Sequence, residues 1–381
     1  MTSICYIVPS YTPSEASHMA HLPRFLSEVG KYCDLHVIFQ RGKGLPEIPN
    51  VRSVYVQRPG NHFQRAAELI SVVYHLRRQG CKKFFVRISA SAALELNLLS
   101  HFLDLQVYHW VSGQGKGLKP PWREGLRRRM YYELSDWVLR TNIRLAHRFV
   151  TGPENMVNYF AKEYGADLKK TIVLYNDINT EVFKPPHVSN SKEHLRQGLG
   201  LPLDRSIVLF VGRVSPYKGG HYLIPIANLL QQLSPEALLV VVGDVHIPSV
   251  VHAAHRDHVC NVLFVGPVPN FRVLKYYQAA DVFIMPSDSE GFPRVLLEAM
   301  TCGLPVVTFD AGGVRDILGP KQQEFVVPRR DLEAFVSRTA KLFRQPELCQ
   351  TLAEENLREV QRFSTERVAQ MFVERIVEAT A

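Results

Sequence analysis

The sequence predicts two doubly wound α/β domains built on parallel sheets. Three observations lead there. Short apolar runs rich in β-branched residues recur along the chain. Most are continuously apolar rather than alternating, as strands covered on both faces are. Amphipathic stretches at helical period separate them, and this βαβα rhythm is that of parallel sheets layered with helices.

The predicted strands of the first domain are Ser3–Val8, Leu35–Phe39, Lys83–Ile88, Gln106–Val111, Arg148–Val150 and Thr171–Leu174. A second set follows at Ser206–Val211, Ala237–Val242, Val262–Val265, Val282–Met285, Val306–Phe309 and Glu324–Val327. Helical patterns between them include His18–Val29, Ala92–Leu103, Leu223–Leu233 and Pro293–Cys302. The rhythm pauses at Phe183–Leu203, where Pro185, Pro186, Asn190 and Pro202 cluster, and the domain linker is expected there. The expected domains are 1–184 and 185–363, with a last helical stretch, 364–381, crossing back onto the first. Ligands are expected at the carboxyl ends of the strands, in a cleft that the two domains face.

At 381 residues the chain has room for two cores. No apolar run approaches the roughly 18 residues that cross a bilayer. The start, MTSICYIVPSYTP, lacks a basic leader and reads as a first buried strand rather than a signal peptide. The six cysteines are scattered without a CxxC pair, which argues against a zinc cage or a disulfide framework and for a reducing, cytoplasmic setting. The net charge of +9 is uneven: residues 1–185 hold 25 Lys and Arg against 15 Asp and Glu, whereas residues 186–381 hold 20 against 21. The basic half suits an anionic partner or is simply a solvated basic surface.

The most informative segment is Ser287–Asp316, SDSEGFPRVLLEAMTCGLPVVTFDAGGVRD. A strand runs into a loop and then into a helix opened by Pro293, a residue suited to a first helical position. A helix start offers free backbone N–H groups, which bind phosphate or sugar oxygens. Glu290 lies in the loop and Glu298 about one and a half turns into the helix; carboxylates there accept hydrogen bonds from sugar hydroxyls. The second informative segment is Leu209–Gly220, LFVGRVSPYKGG. Gly212, Arg213 and Lys218 follow the end of a buried strand, where two cations can neutralise a diphosphate and glycine lets backbone approach it. The pattern is not a P-loop, since Gly219 follows Lys218. Taken alone, two such cations are more often ordinary surface charges.

Together these segments resemble family 4 glycosyltransferases of the GT-B fold. VLYNDINTEVFKP (Val173–Pro185), VGRVSPYKGG, ADVFIMPSDSEGFPRVLLEAMTCGLPVV and DAGGVRDIL follow in that family's order. The resemblance implies two Rossmann-like domains and a retaining transfer of sugar from a nucleotide-diphosphate donor to a hydroxyl of a glycan or lipid-linked acceptor. It implies that Arg213 and Lys218 hold the diphosphate and stabilise charge on the leaving nucleotide. Glu298 would hold the ribose, Glu290 would bond the transferred sugar, and the backbone of Gly291, Phe292 and Pro293 would border sugar and phosphate. No cofactor and no catalytic metal are expected, and no Asp-x-Asp motif is present.

Two segments depart from the family. The first loop, PSYTPSEASHMAH (Pro9–His21), carries Ser14, Glu15 and Ser17 where paired glycines are usual. QVYHWVSGQGKG places Ser112-Gly113 where His-Gly is usual, with His109 three residues earlier. Ser14, Ser112 and His109 are the acceptor-side candidates, and His109 reads more readily as a structural strand residue. The run Lys116–Tyr132 interleaves Lys119, Arg123, Arg127, Arg128 and Arg129 with aromatic and apolar residues. That mixture suits an anionic membrane surface or a lipid-linked acceptor, or else a solvated basic helix. No nucleic-acid-binding motif accompanies it. The other readings are a nucleotide-sugar 2-epimerase on a similar frame and a non-catalytic sugar-nucleotide-binding protein.

Overall fold

The computed structural model describes the chain apart from residues 13–20, 43, 114–125, 188–190, 257 and 380–381, and apart from the side chains of Leu126 and Arg128. The chain divides into two compact units, Met1–Asp177 with Thr365–Ala381, and Ile178–Ser364.

In the first unit the elements are β1 (Ser3–Val8), α1 (Leu22–Val29), β2 (Asp34–Phe39), β3 (Ser53–Val56), α2 (His62–Arg78), β4 (Lys83–Arg87), α3 (Ala90–Leu103), β5 (Gln106–Trp110), α4 (Leu126–Leu145), β6 (Arg148–Thr151), α5 (Glu154–Tyr164) and β7 (Thr171–Val173). The strands form one sheet in the order β3-β2-β1-β4-β5-β6-β7, parallel throughout. β3 is absent from the predicted set. Its four residues, SVYV, are only half-buried at the sheet edge, so they show no continuous apolar run.

The second unit runs α6 (Lys192–Leu199), β8 (Ser206–Val211), α7 (Leu223–Leu233), β9 (Ala237–Val242), α8 (Pro248–Arg256), β10 (Val262–Gly266), α9 (Asn270–Ala279), β11 (Val282–Met285), α10 (Arg294–Thr301), β12 (Val306–Phe309), α11 (Val314–Ile317), β13 (Val326–Val327), α12 (Leu332–Arg344) and α13 (Pro346–Glu359). Its parallel sheet is ordered β10-β9-β8-β11-β12-β13. β9, ALLVVV, is buried at every position, the burial expected of a strand covered on both faces. Both sheets have the doubly wound order of a Rossmann fold.

The observed division at Asp177/Ile178 falls before the expected 184/185 boundary. The stretch expected to be linker instead carries α6, capped at its start by Ser191 and ended by Gly200 in the left-handed conformation. Arg196 anchors α6, donating to the carbonyls of Ala279 and Arg205 and to Asp281 at 2.6 Å. Burial pushes the Asp281 carboxyl up, but Lys192, the Ile207 amide and Arg196 together outweigh it and hold it below its ordinary range. The prolines around α6 mask a short amphipathic helix that belongs to the second core.

The last helix, α14 (Thr365–Phe372), packs against α1 in the first unit. Phe372 is fully buried there, its ring 5.7, 5.9 and 5.0 Å from those of Tyr6, Phe25 and Phe85. The Thr365 hydroxyl donates to Asp177 at 2.8 Å.

Candidate functional site

In the second sheet, β8 pairs with β9 on one side and β11 on the other, so connections run in opposite directions from these central strands. The carboxyl ends of such a switch point form a crevice, the usual ligand position in open α/β sheets. The loops after β8 and β11 lie at this point, and they are Gly212–Gly220 and Pro286–Pro293. Gly219 joins them. Its φ is +71°, and a Cβ there would stand 1.8 Å from the carbonyl oxygen of Pro286, so only glycine fits. The Asp288 amide completes the join by donating to the Tyr217 carbonyl at 3.0 Å.

This contact sets Lys218 beside Glu290, with Nζ 2.8 Å from each carboxylate oxygen. Glu290 is 6% exposed, whereas Lys218 keeps more than a third of its side chain open to solvent. A buried carboxylate is thus neutralised by an ammonium that still faces outward. The loop after β12 closes on the same residue. Gly312 (φ +59°) lies so near the Glu290 carbonyl that a Cβ would approach its oxygen to 2.0 Å, and the Gly313 amide donates to the Gly291 carbonyl at 3.2 Å.

Pro293 is the N-cap of α10, in an extended conformation (φ −73°, ψ 113°), with Arg294 the first helical residue. The expectation of Pro293 at the first helical position is corrected by one residue: its extended ψ keeps it outside the helix. No side chain caps α10. Glu298 is half-buried one turn inside and accepts the Tyr277 hydroxyl at 2.9 Å. Burial pushes its carboxyl up, with Arg294 and the Tyr277 hydrogen bond opposing. Gly291, Phe292 and Pro293 are buried, and the Phe292 ring meets Phe363 edge-on at 5.3 Å. Gly212 directly follows β8, and Arg213 beyond it is exposed.

Asp288 faces other partners. Tyr222 donates to its carboxylate at 3.2 Å, His221 lies 3.7 Å away, Arg330 3.9 Å, and Arg329 reaches the Asp288 carbonyl at 3.2 Å. Arg330 holds a φ of +72°, a costly conformation for a residue with a Cβ. The hydroxyl of Ser287, the residue before Asp288, is buried without a hydrogen-bond partner.

The first unit has its own cavity of about 280 Å³ at the carboxyl ends of β1, β2 and β4. Ser10, Arg41, His62, Arg65, Ser89 and Glu95 line it. Ile88, just before Ser89, has a φ of +66°, rare for a β-branched residue. Burial pushes the Glu95 carboxyl up, against His62 and Arg65. His109 is not part of this cavity. Its ring is fully buried in β5 against Phe149, and desolvation lowers its pKa to about 4. A neutral ring sealed in the core does not meet an acceptor, so that expectation is corrected in favour of the structural one. Ser112 follows β5 and is half-buried. Arg127 and Arg129 are exposed on α4. Ser14, Lys119, Arg123 and the Arg128 side chain lie outside the described residues.

Residues 191–358 match the family described as glycosyl transferases group 1. This stretch is a group 1 glycosyl transferase domain. Among curated relatives, the chain is 37% identical over 163 residues to a D-inositol 3-phosphate glycosyltransferase of Xylanimonas cellulosilytica, covering 41% of this chain and 38% of that one. It is 35% identical over 139 residues to the putative teichuronic acid biosynthesis glycosyltransferase TuaC of Bacillus subtilis, covering 36% and 33%. The chain spans about half or less of the length of the curated relatives it matches. Among solved structures, HepE of Anabaena in complex with UDP and glucose aligns over 100% of both chains with a TM-score of 0.77 at 19% identity, a likeness that shows the fold. That fold is GT-B.

Within the group 1 domain, Lys218, Glu290, Gly291 and Gly212 gather at the switch point from loops 70 residues apart in sequence. Sequence reasoning missed Tyr277, Asp288, Tyr222 and Arg330. Only the adjacent Arg329 and Arg330 after the last strand offered a readable signal; Tyr277 looks like any core aromatic.

Proposed function

We propose that the chain is a retaining glycosyltransferase of the family 4 kind, moving a sugar from a nucleotide-diphosphate donor to a hydroxyl of a glycan or lipid-linked acceptor. The observation that carries this is the Lys218–Glu290 pair at the switch point of a group 1 domain. In this reading Lys218 and Arg213 meet the diphosphate and stabilise the charge that grows on it as the sugar leaves. Glu290, freed in part from Lys218, accepts hydroxyls of the transferred sugar. Glu298 accepts those of the ribose, and the uncapped start of α10 with Gly291–Pro293 borders phosphate and sugar. The acceptor hydroxyl attacks from the face the diphosphate leaves. The two cations supply the positive charge, so the scheme needs neither a cofactor nor a metal.

The acceptor is assigned to the cavity of the first unit, where two arginines, a histidine and a carboxylate meet. The names of the relatives, one acting with D-inositol 3-phosphate and one in teichuronic acid biosynthesis, support a hydroxyl-rich acceptor bearing negative charge. HepE binds UDP and glucose, which supports a nucleotide-sugar donor. Assembly of a surface polysaccharide or glycolipid, at the cytoplasmic face of a membrane and without nucleic acid, completes the reading.

The test is a mass-spectrometric panel of UDP-, GDP-, ADP- and dTDP-sugars with phosphorylated polyol and lipid-linked acceptors, with the anomer of the product read by NMR. Transfer with retained configuration, lost in a Lys218→Ala, Glu298→Ala double variant, is expected. Full activity of that variant would sink the site. An epimerised donor with no acceptor consumed would favour the 2-epimerase, and donor binding without turnover a binding protein.

A further inference from the structure

The second unit holds a cavity of about 520 Å³ that the reading above leaves unused. It lies at the amino ends of the second sheet, beside the residues that lead into β8, β11 and β12: Arg205, Asp281 and Pro305. The candidate donor crevice lies at the opposite, carboxyl ends of the same strands. Small-molecule pockets run from about 300 to 1,000 Å³, and this one falls within that range. α6 and α13 close its sides, through Lys192 and Arg196 on one and Cys349 and Ala353 on the other.

One part of the lining is apolar, with Leu203, Phe343 and Pro346. The other part is charged. Arg196 and Arg205 direct their donors to backbone carbonyls and to Asp281. The Asp281 carboxylate is occupied in turn by Lys192, Arg196 and the Ile207 amide. Lys192 differs. It donates to Asp281 at 2.9 Å yet keeps 42% of its side chain exposed, so an ammonium with three N–H groups has donors left for a ligand. The Cys349 thiol in the same wall reflects the sign of the field. Burial pushes it up, and of the two charges acting on it Lys192, which lowers it, outweighs Asp281, which raises it. An apolar chamber with one available cation fits a ligand that has an apolar body and one negative group.

The far wall of the cavity reaches toward the donor side. Tyr277 and Cys302 stand in it. The Tyr277 hydroxyl donates to Glu298 at 2.9 Å, and the amide of Cys302, at the end of α10, donates to the Glu298 carbonyl at 3.2 Å. Protein interiors are close-packed, and open space behind a buried ring leaves it room to retreat. An occupant that fills this space holds the Tyr277 hydroxyl on the carboxylate. We propose that the cavity binds a small organic anion with an apolar body, its negative group on Lys192, and that its occupancy tightens nucleotide binding through Tyr277 and Glu298. The coupling rests on the role given to Glu298 above; the binding site does not.

The experiment uses the full chain and two fluorescent probes of one shape, 1-anilinonaphthalene-8-sulfonate and the uncharged N-phenyl-1-naphthylamine. The sulfonate should bind about tenfold more tightly than the neutral probe, as a hydrogen bond between charged groups implies. Lys192→Ala should erase that preference, and Ala353→Trp, which fills the cavity, should displace both probes. Saturating sulfonate probe should tighten the nucleotide that the donor panel selects by about fivefold in calorimetry, and the nucleotide should tighten the probe by the same factor. Tyr277→Phe should leave the probe bound and remove the coupling. Equal binding of the two probes by the wild type overturns the site, as does a preference that Lys192→Ala leaves unchanged, a variant at a half-exposed position that does not depend on Ala353→Trp folding. Nucleotide affinity that the bound sulfonate leaves unmoved or weakens overturns the coupling. A charge-selective probe site on a chain that binds no nucleotide would instead count against the enzymatic reading and leave the cavity assignment standing.

Discussion

Replacing Tyr277 by phenylalanine removes one buried hydroxyl and leaves the ring in place. The ring is fully buried and meets Phe183 and Phe283 at 6.1 and 5.7 Å, contacts that phenylalanine keeps. What goes is the hydroxyl whose main acceptor is Glu298 at 2.9 Å, with the Val295 carbonyl a longer second one at 3.3 Å. A hydrogen bond to a charged group contributes about 1.5–3 kcal/mol, and one between neutral groups about 0.5–1.5 kcal/mol. The loss therefore depends on the proton of Glu298. Burial raises this carboxyl above its ordinary value of 4.5 in the folded state. In the window above that value the folded chain binds more protons than the unfolded one, so this group's contribution to stability falls as pH rises through the window. Removing the hydroxyl takes away one cause that lowers the pKa, so the window extends upward. Tyr277→Phe should thus cost about 1.5–3 kcal/mol at alkaline pH and roughly half that in acid.

The three tryptophans, Trp110, Trp122 and Trp137, all belong to the first unit, so their fluorescence reports its unfolding alone, whereas far-ultraviolet circular dichroism reports both units. In urea the dichroism component of the second unit should shift by roughly 0.5–1.5 M while the fluorescence transition stays in place. Binding of whichever nucleotide the donor panel selects, read by calorimetry, should weaken more toward acid pH, because a protonated Glu298 accepts fewer hydrogen bonds. An unmoved dichroism transition at pH 8 would refute the role of this hydrogen bond.

Two further outcomes are expected. Gly312→Ala should reduce affinity for the nucleotide that the donor panel selects by about tenfold or more, read by calorimetry, because its Cβ would sit 2.0 Å from the Glu290 carbonyl and must push the two loops apart; the left-handed conformation alone costs about 1–2 kcal/mol. Phe372→Ala should destabilise the first unit by about 3–5 kcal/mol through the cavity left among Tyr6, Phe25 and Phe85, moving the tryptophan fluorescence transition and leaving the dichroism component of the second unit in place.

Much of the architecture was legible because most strands are apolar throughout. β1, β8, β9, β11 and β12 begin and end at the residues read from the sequence. β3 was hidden by its half-buried edge position, and α6 by the prolines around it. Glu290 and Lys218 were legible as chemistry. Their 2.8 Å pairing was not, since it depends on Gly219 bringing a loop against Pro286, a contact between segments far apart in the chain. The left-handed Ile88 and Arg330 run against the usual preference of their residue types, so no pattern announces them.

The return of α14 to the first unit bears on the order in which the chain can mature. Tyr6 and Phe25 wait for Phe372, made more than three hundred residues later in the chain. The second unit, continuous from Ile178 to Ser364, can close while its predecessor is still open. Until α14 arrives, the nascent first unit presents an open aromatic socket. A chain broken off anywhere after the second unit would keep that socket empty and offer chaperones and proteases a mark of incomplete synthesis.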